Sequence, residues 1–489
     1  MSFAQFGLGG LVLLPLLASA ISVLLPLRAR RMLALLVVLT VAGLTAVLAL
    51  QTAAGEVVEL ALGGYAAPVG IFLRADGLSV LFLGLSALVG GIVSVFAYGS
   101  HTTAESFWPL WLGCWAGLNA VFVSGDLFNS YVGLELVGMT AVALVALGGR
   151  EAWGGALRYL FIAVLGSLLF LVGVGLVVSA AGTLDIAQAA AALSQEPELA
   201  PALLFAVVLM TVGLGMKVAL LPMHAWLIPA HSSAPSAVSP LLSALVIKAA
   251  LFVVLRCWVW LAEGLEQLAA LAWVLGALGA AAVVVGSIAA LRQRGLKRLI
   301  AYSTVAQIGY WFLAFPLLGP GVDDDFRQGA FGGILALALG HGVAKAGLFL
   351  AAGALKDTYG TDDITALRGA GREQPLIVMG MGLSAVGLIG LPISLGFTGK
   401  WQVATAAVGA QQWWILVVLM AGTLLSAAYL VRAIAPLLLM DSPAPDVGPA
   451  SRTFRSVSGF AVLSLGVLTI VTGFGGVVID AALEVGSPW

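Results

Sequence analysis

Apolar residues run along this chain in blocks of about twenty, the length that spans a bilayer core as a helix. Fourteen such blocks are legible, at 6–27, 32–51, 78–99, 107–124, 127–147, 159–181, 201–222, 238–261, 269–291, 299–318, 329–354, 375–400, 413–438 and 457–477. None shows the period-two alternation of a half-buried strand. The 55–76 stretch, with Gly63, Gly64 and Pro68, is read as a hairpin over the outer face. The blocks predict an all-α polytopic membrane protein of about fourteen transmembrane helices. No connecting segment is long enough for a soluble domain. The expectation is one membrane domain over 1–489: helices one to three in 1–106, a first repeat in 107–261, a second in 269–438, and a last helix at 457–477.

Charge placement tests the count. Lys and Arg gather in cytoplasmic loops of membrane proteins. Fourteen of the 22 Lys and Arg fall in alternate loops: Arg28, Arg30 and Arg31; Arg150 and Arg158; Arg292, Arg294, Lys297 and Arg298; Lys356, Arg368 and Arg372; Arg452 and Arg455. The opposite loops hold Arg74 and Arg327 and are otherwise acidic, with Glu196, Glu198, Glu263, Glu266 and Asp323 to Asp325. An error in the count would scramble this alternation. Both termini are expected outside the cytoplasm, in a bacterial inner membrane. The stretch "LLASA" ending at Ala20 resembles a signal cleavage site, but no positive charge precedes it and Arg28, Arg30 and Arg31 follow. It is read as a retained helix.

Composition agrees and excludes other functions. The chain is 61% hydrophobic and 9% charged, against about 25% charged in soluble domains. Its net charge of -1 gives no footprint for nucleic acid. Cys114 and Cys257 lie in apolar runs without a C-x-x-C pair, so no zinc or iron–sulfur site is expected. No phosphate-binding loop and no H-E-x-x-H is present. The expectation is no cofactor, no metal, and no redox or hydrolytic site on this chain.

Subtracting the loops leaves charges inside the helices: Lys217, Lys248, Lys345, Lys400, Arg256, Arg432 and Glu135. Four of the six lysines are among them. A charge at the bilayer centre costs about 2.5–3.5 kcal/mol on insertion scales. Arg256 and Arg432 are read as snorkelling to helix ends. Lys217, Lys248 and Glu135 are too deep for that; Lys345 stays open between the two readings, and Lys400 depends on where its helix breaks. Burial disfavours the charged form of an amine, and a nearby carboxylate favours it. An amine whose carboxylate partner is near or far therefore takes up and releases a proton. Arginine stays charged and could not. A row of such groups is a proton relay; a fixed Glu135–Lys217 salt bridge is the structural alternative. His341 and Lys345, four residues apart, share a helix face. His224 and His231, in the inner loop after the seventh block, are candidates for proton entry. His101 is read as a surface residue.

The seventh block carries Lys217 and is followed by Pro222, which removes a backbone hydrogen bond. In the twelfth, Gly390, Pro392, Gly396 and Gly399 precede Lys400. Both are read as broken helices, which at membrane depth must line protein or a wet cavity. Lys217 to Lys248 is 31 residues and Lys400 to Arg432 is 32. This spacing suggests that helices four to eight and nine to thirteen are two five-helix units. Five being odd, the second is inverted, and inverted repeats with paired broken helices point to a midplane ion site.

The segments "GDLFNSYVGLELVGM", "GMKVALLPMHAWLIPAHSSAPSAVSPLLSALVIKA", "LKRLIAYSTVAQIGYW", "HGVAKAGLFLAAG" and "GLPISLGFTGKW" resemble those of the antiporter-like membrane subunits. That family includes the large proton-pumping subunits of respiratory complex I, membrane subunits of energy-converting hydrogenases, and the A and D subunits of Mrp-type sodium/proton antiporters. The resemblance spans roughly residues 70–435. It implies fourteen helices, broken helices seven and twelve, and a polar axis along the midplane. It also implies a relay of Glu135, Lys217, Lys248, His341, Lys345 and Lys400. Members often read "WLPDAH" where this chain has "WLIPAH" ending at His231, and often carry two adjacent histidines where Gly340 precedes His341. The length of the chain fits a D-type Mrp subunit or the complex I subunits of middle size, and the stretch before the third block favours the Mrp type. The resemblance implies other membrane subunits as partners, with protons and Na+ as transported ions. Alternatives are a subunit of a complex I-like or hydrogenase-type redox complex, including an ion-translocating NADH:quinone oxidoreductase, and the energising subunit of a bicarbonate-uptake complex.

Overall fold

The computed structural model describes residues 2–65, 70–100, 103–261, 265–439 and 452–487, excluding the side chains of 452–455. Pro68, His101 and Glu263 lie outside the described residues. Two helices, α1 (Phe3–Leu24) and α2 (Leu27–Ala53), precede the strands β1 (Val58–Ala61) and β2 (Phe72–Ala75). The strands pair antiparallel, Val58 opposite Ala75 and Ala61 opposite Phe72, so the hairpin expected in 55–76 is present. Helices α3 (Gly77–Gly99), α4 (Phe107–Phe122), α5 (Leu127–Ala146) and α6 (Arg150–Ala181) follow. Then come α7 (Ile186–Gln195), α8 (Ala200–Val218), α9 (Leu227–Ser233), α10 (Val238–Leu241) and α11 (Ile247–Arg256). The second half holds α12 (Leu268–Leu291), α13 (Leu296–Leu313), α14 (Asp324–Tyr359), α15 (Pro375–Ile389), α16 (Leu395–Gly409), α17 (Trp413–Ile434), α18 (Arg452–Val471) and α19 (Gly476–Leu483).

Helix covers all fourteen apolar blocks. Among the described residues, eleven helical runs are long and apolar enough to cross a membrane, and α15 is a shorter apolar helix. Outward faces of α1, α6, α12 and α17 expose Leu17, Phe161, Trp273 and Leu424, as a lipid-facing surface requires. The short α7 has no counterpart among the predicted blocks; it lies after α6 with Ile186, Ala189 and Leu193 turned inward.

Both expected breaks exist. Helix α8 ends at Val218, capped by Ala219 in a left-handed conformation, and Pro222 follows without a backbone N–H. A short 3₁₀ turn at Met223–Trp226 then leads into α9. The indole of Trp226 donates to the Met216 carbonyl at 3.0 Å, filling one acceptor that the end of α8 leaves open. The second break falls between α15 and α16, at Gly390 (φ 79°) and the four residues after it. Lys217 thus lies just before its break and Lys400 six residues beyond the end of its own, at Ser394.

Glycine pairs seat the broken helices. A methyl on Gly166 of α6 would meet the carbonyl of Gly213 on α8, and the reverse holds for Gly213. Gly333 of α14 and Gly399 of α16 block one another in the same way. Small residues at such crossings let backbones approach where lipid supplies no hydrophobic drive. The 36-residue α14 is about 54 Å long. Its residues Ala330 to Leu355 are all buried, which puts His341 and Lys345 at the centre of the protein.

Candidate functional site: buried amines on broken helices

The first cluster lies between α5, α6 and α8. Lys217 Nζ is 3.4 Å from Glu135 Oε1, and the Ser167 hydroxyl donates to the same oxygen. Lys217 is buried, whereas Glu135 keeps 26% of its side chain exposed.

The second cluster is built on a deformed helix. A π-helical segment at Leu242–Val246 interrupts the run between α10 and α11 just before Lys248; such bulges are frequent at functional sites. Lys248 Nζ donates to the Ser243 carbonyl at 2.8 Å and lies 2.5 Å from His341 Nδ1. Trp311 meets the His341 ring edge-on at 5.1 Å between centroids, and the Lys248 amine is 5.0 Å from that indole. Lys345 Nζ donates to the Ile300 carbonyl at 2.7 Å and to the Ser303 hydroxyl at 2.5 Å. The two lysines are linked through Ser243 and Thr304, whose hydroxyls are 3.2 Å apart, and Thr304 donates to the same Ile300 carbonyl.

The third cluster surrounds Lys400. Its amine donates to the carbonyl of Ile389, the last residue of α15, at 2.8 Å, and to Thr423 Oγ1 at 2.9 Å. The break creates that free carbonyl, and the lysine occupies it. The ring of Tyr310 lies 4.5 Å from the amine. Each buried amine is thus surrounded by oxygens, rings or a carboxylate, as a polar group out of water requires.

The expected site residues do not all meet. Lys248, His341 and Lys345 form one contiguous group. Glu135 and Lys217 form a pair, and no hydrogen bond or ion pair among the described residues joins Lys217 to Lys248. His231 is fully buried and stacks on Phe349 at 4.7 Å between centroids, one turn beyond Lys345; neither of its ring nitrogens has a partner. His224 sits on the turn after the first break, half-buried, and joins none of the three clusters. Beside α9 a cavity of about 560 Å³ is lined by Pro229, Ser232, Arg298, Lys356 and Asp362, among others.

Sequence reasoning missed three features. Arg256 does not snorkel: it is buried, and its guanidinium holds both oxygens of Asp76 at 2.6 Å. Lys297 is not a loop residue: it is buried and donates to the Ala234 carbonyl at 2.7 Å. Ser303, Gln307 and Tyr310 also went unassigned, although their spacing of four and three within an apolar helix was a legible polar stripe.

A polytopic helical protein with titratable side chains buried beside helix breaks is an ion-translocating membrane protein by architecture. The family described as NADH:quinone oxidoreductase/Mrp antiporter, transmembrane, matches residues 124–426, and the chain belongs to it. It is 34% identical over 453 residues to the N subunit of NADH-quinone oxidoreductase from Desulforudis audaxviator, covering 89% of this chain and 88% of that one. It is 29% identical over 372 residues to the D subunit of the Na(+)/H(+) antiporter from Alkalihalophilus pseudofirmus, covering 74% and 72%. Its fold matches a chain of the Mrp complex from Dietzia with a TM-score of 0.88 at 24% identity, over 100% of this chain and 98% of that one. A chain of respiratory complex I from Thermus thermophilus matches with a TM-score of 0.75 at 26% identity, over 98% and 100%.

Proposed function

We propose that this chain is a proton-translocating subunit of a multisubunit complex in the bacterial inner membrane, D-like within an Mrp-type cation/proton antiporter. Protons load Lys217 and Lys248, pass by His341 and Lys345 to Lys400, and leave from there. Opening the Glu135–Lys217 pair removes the charge that favours the protonated amine and drives the proton onward. His224 and His231 remain the candidates for entry, with His231 the nearer to the amines. We read the fourteen helical stretches as fourteen crossings with both termini outside, the two five-helix units inverted, and Na+ as the candidate counter-ion.

The observation that carries the reading is the 2.5 Å contact of Lys248 with His341, one helical turn from Lys345. Among the described residues, no carboxylate is hydrogen-bonded to any of these three buried groups. Three permanent cations would repel at that distance; groups that exchange protons need not be charged together. Further support comes from the 29% identity to the D subunit of an antiporter and the Mrp-complex fold match over the whole chain. A second reading, a pumping subunit of a redox-driven complex, is favoured by the 34% identity to the N subunit of an NADH-quinone oxidoreductase. A pull-down of the native complex separates the two, because only the second brings redox subunits.

Lys217→Ala tests the relay itself. The purified complex is expected to assemble normally and to lose proton transport in proteoliposomes by about 10²-fold, the scale of a lost proton-transfer group. Undiminished transport would leave the buried charges as scaffolding.

A further inference from the structure

We propose that a chain of side-chain hydroxyls on α13 and α17 carries the proton between Lys345 and Lys400; the inference rests on the relay reading above. Lys345 Nζ lies 2.5 Å from Ser303 Oγ. Ser303 lies beside the Tyr429 hydroxyl, which donates to Ser426 Oγ at 3.2 Å, so a small side-chain movement joins the two. Ser426 Oγ is 3.5 Å from the Tyr310 hydroxyl. Tyr310 lies beside Thr423, whose Oγ1 accepts from Lys400 Nζ at 2.9 Å, and a small side-chain movement closes that step as well. Ser303, Tyr310, Ser426 and Tyr429 are fully buried.

Serine and threonine inside helices often bond only their own preceding turn, and Ser303 and Thr423 also do so. Tyrosine has no such option. Its hydroxyl extends far from its own backbone, and burying it in an apolar bundle is costly unless it is paired. Here tyrosines from two facing helices converge on one serine. Gly422 makes the room, since a methyl there would collide with the Tyr310 hydroxyl. Gln307 donates to the Tyr429 oxygen at 3.5 Å and to the Leu388 carbonyl at 3.1 Å. That contact leaves the Tyr429 proton directed at Ser426.

A hydroxyl both donates and accepts, so it passes a proton without remaining charged. In one transfer an N–H bond of protonated Lys345 breaks and Ser303 gains the proton. Each hydroxyl then releases its own proton to the next, and an N–H bond forms on neutral Lys400. One proton leaves the first amine and one arrives at the second. No electron moves, and the hydroxyls rotate back before the next transfer.

The test uses the assembled complex in proteoliposomes with a pH-sensitive dye, in H2O and D2O. Tyr429→Phe and Tyr310→Phe are expected to lower proton transport about 10²-fold while the complex assembles. Thr423→Val is expected to do the same and Thr423→Ser to restore the rate and its solvent isotope effect, which a purely structural role would not produce. The Thr423 pair decides the question if the tyrosine variants fail to assemble. Wild-type transport in assembled Tyr429→Phe or in Thr423→Val, alongside loss in Lys400→Ala, would overturn the hydroxyl path and leave the relay standing. Wild-type transport in Lys400→Ala would instead remove the relay reading on which the path depends.

Discussion

Two ion pairs each set a buried cation of an apolar block against an acid, and they differ in build. Asp76 and Arg256 are joined by two contacts of 2.6 Å, with both side chains buried. Ser79 and Arg74 add further contacts, and the guanidinium lies 4.5 Å from the Trp260 ring. Glu135 and Lys217 meet through one oxygen at 3.4 Å, and Glu135 is 26% exposed. The first pair is over-determined: a planar fork, which stays charged, grips a carboxylate that also caps α3 through the Ser79 amide. The second joins an amine that can lose its proton to a carboxylate that can turn away. Depth alone therefore does not mark a working charge. Under the proposed relay, loose geometry and a titratable partner do.

The comparison breaks first at Asp76. Removing one partner of a buried pair strands the other charge, at about 3–5 kcal/mol. Asp76→Ala is expected to abolish assembly, as read by recovery of the complex after detergent extraction. Assembly at wild-type yield would mean the pair is not structural. Arg256→Lys keeps the charge and loses the bidentate fork, and is expected to lower the unfolding midpoint by the equivalent of about 1–2 kcal/mol. Glu135→Gln removes a single, partly exposed contact, worth less than about 1 kcal/mol; it should leave the melting curve nearly unchanged while transport is lost. The smallest effect belongs to Asp363, a partly exposed loop carboxylate between the helices. Hydrogen bonds from the Thr365 hydroxyl and amide hold its pKa below the usual value. A lowered folded pKa stabilises fully above the unfolded pKa and is lost as pH falls through the folded one. Asp363→Ala should therefore cost slightly at neutral pH, and the difference from wild type should shrink below about pH 4. A difference that grew with acid would reverse the assignment.

Much of this was legible in the sequence because bilayer and backbone constraints are local. Helix formed on every apolar block. Pro222 and Gly390 marked the breaks, and the excess of lysine over arginine at depth marked the titratable groups. Helix ends were read less well. Helix α6 begins at Arg150 rather than 159, and α14 runs from Asp324 to Tyr359 rather than over 329–354, because helices continue past the apolar core into polar residues. Partners were illegible where sequence distance hides them. Asp76 and Arg256 are 180 residues apart, and nothing local to Arg256 announces a carboxylate. Lys297 was counted as a loop charge because it follows Arg292 and Arg294, yet the chain turns it inward toward Ala234. The hydroxyl stripe of α13 was visible, but its meaning came only with α17 packed against it.

Lys248→Arg tests the central claim most directly, because arginine keeps the positive charge and gives up the ability to release a proton. Proton flux through the reconstituted, assembled complex is the measurement. The account predicts that flux is lost although the charge is retained. Flux at the wild-type rate would contradict it, since a fixed charge at position 248 would then serve as well as a titrating one.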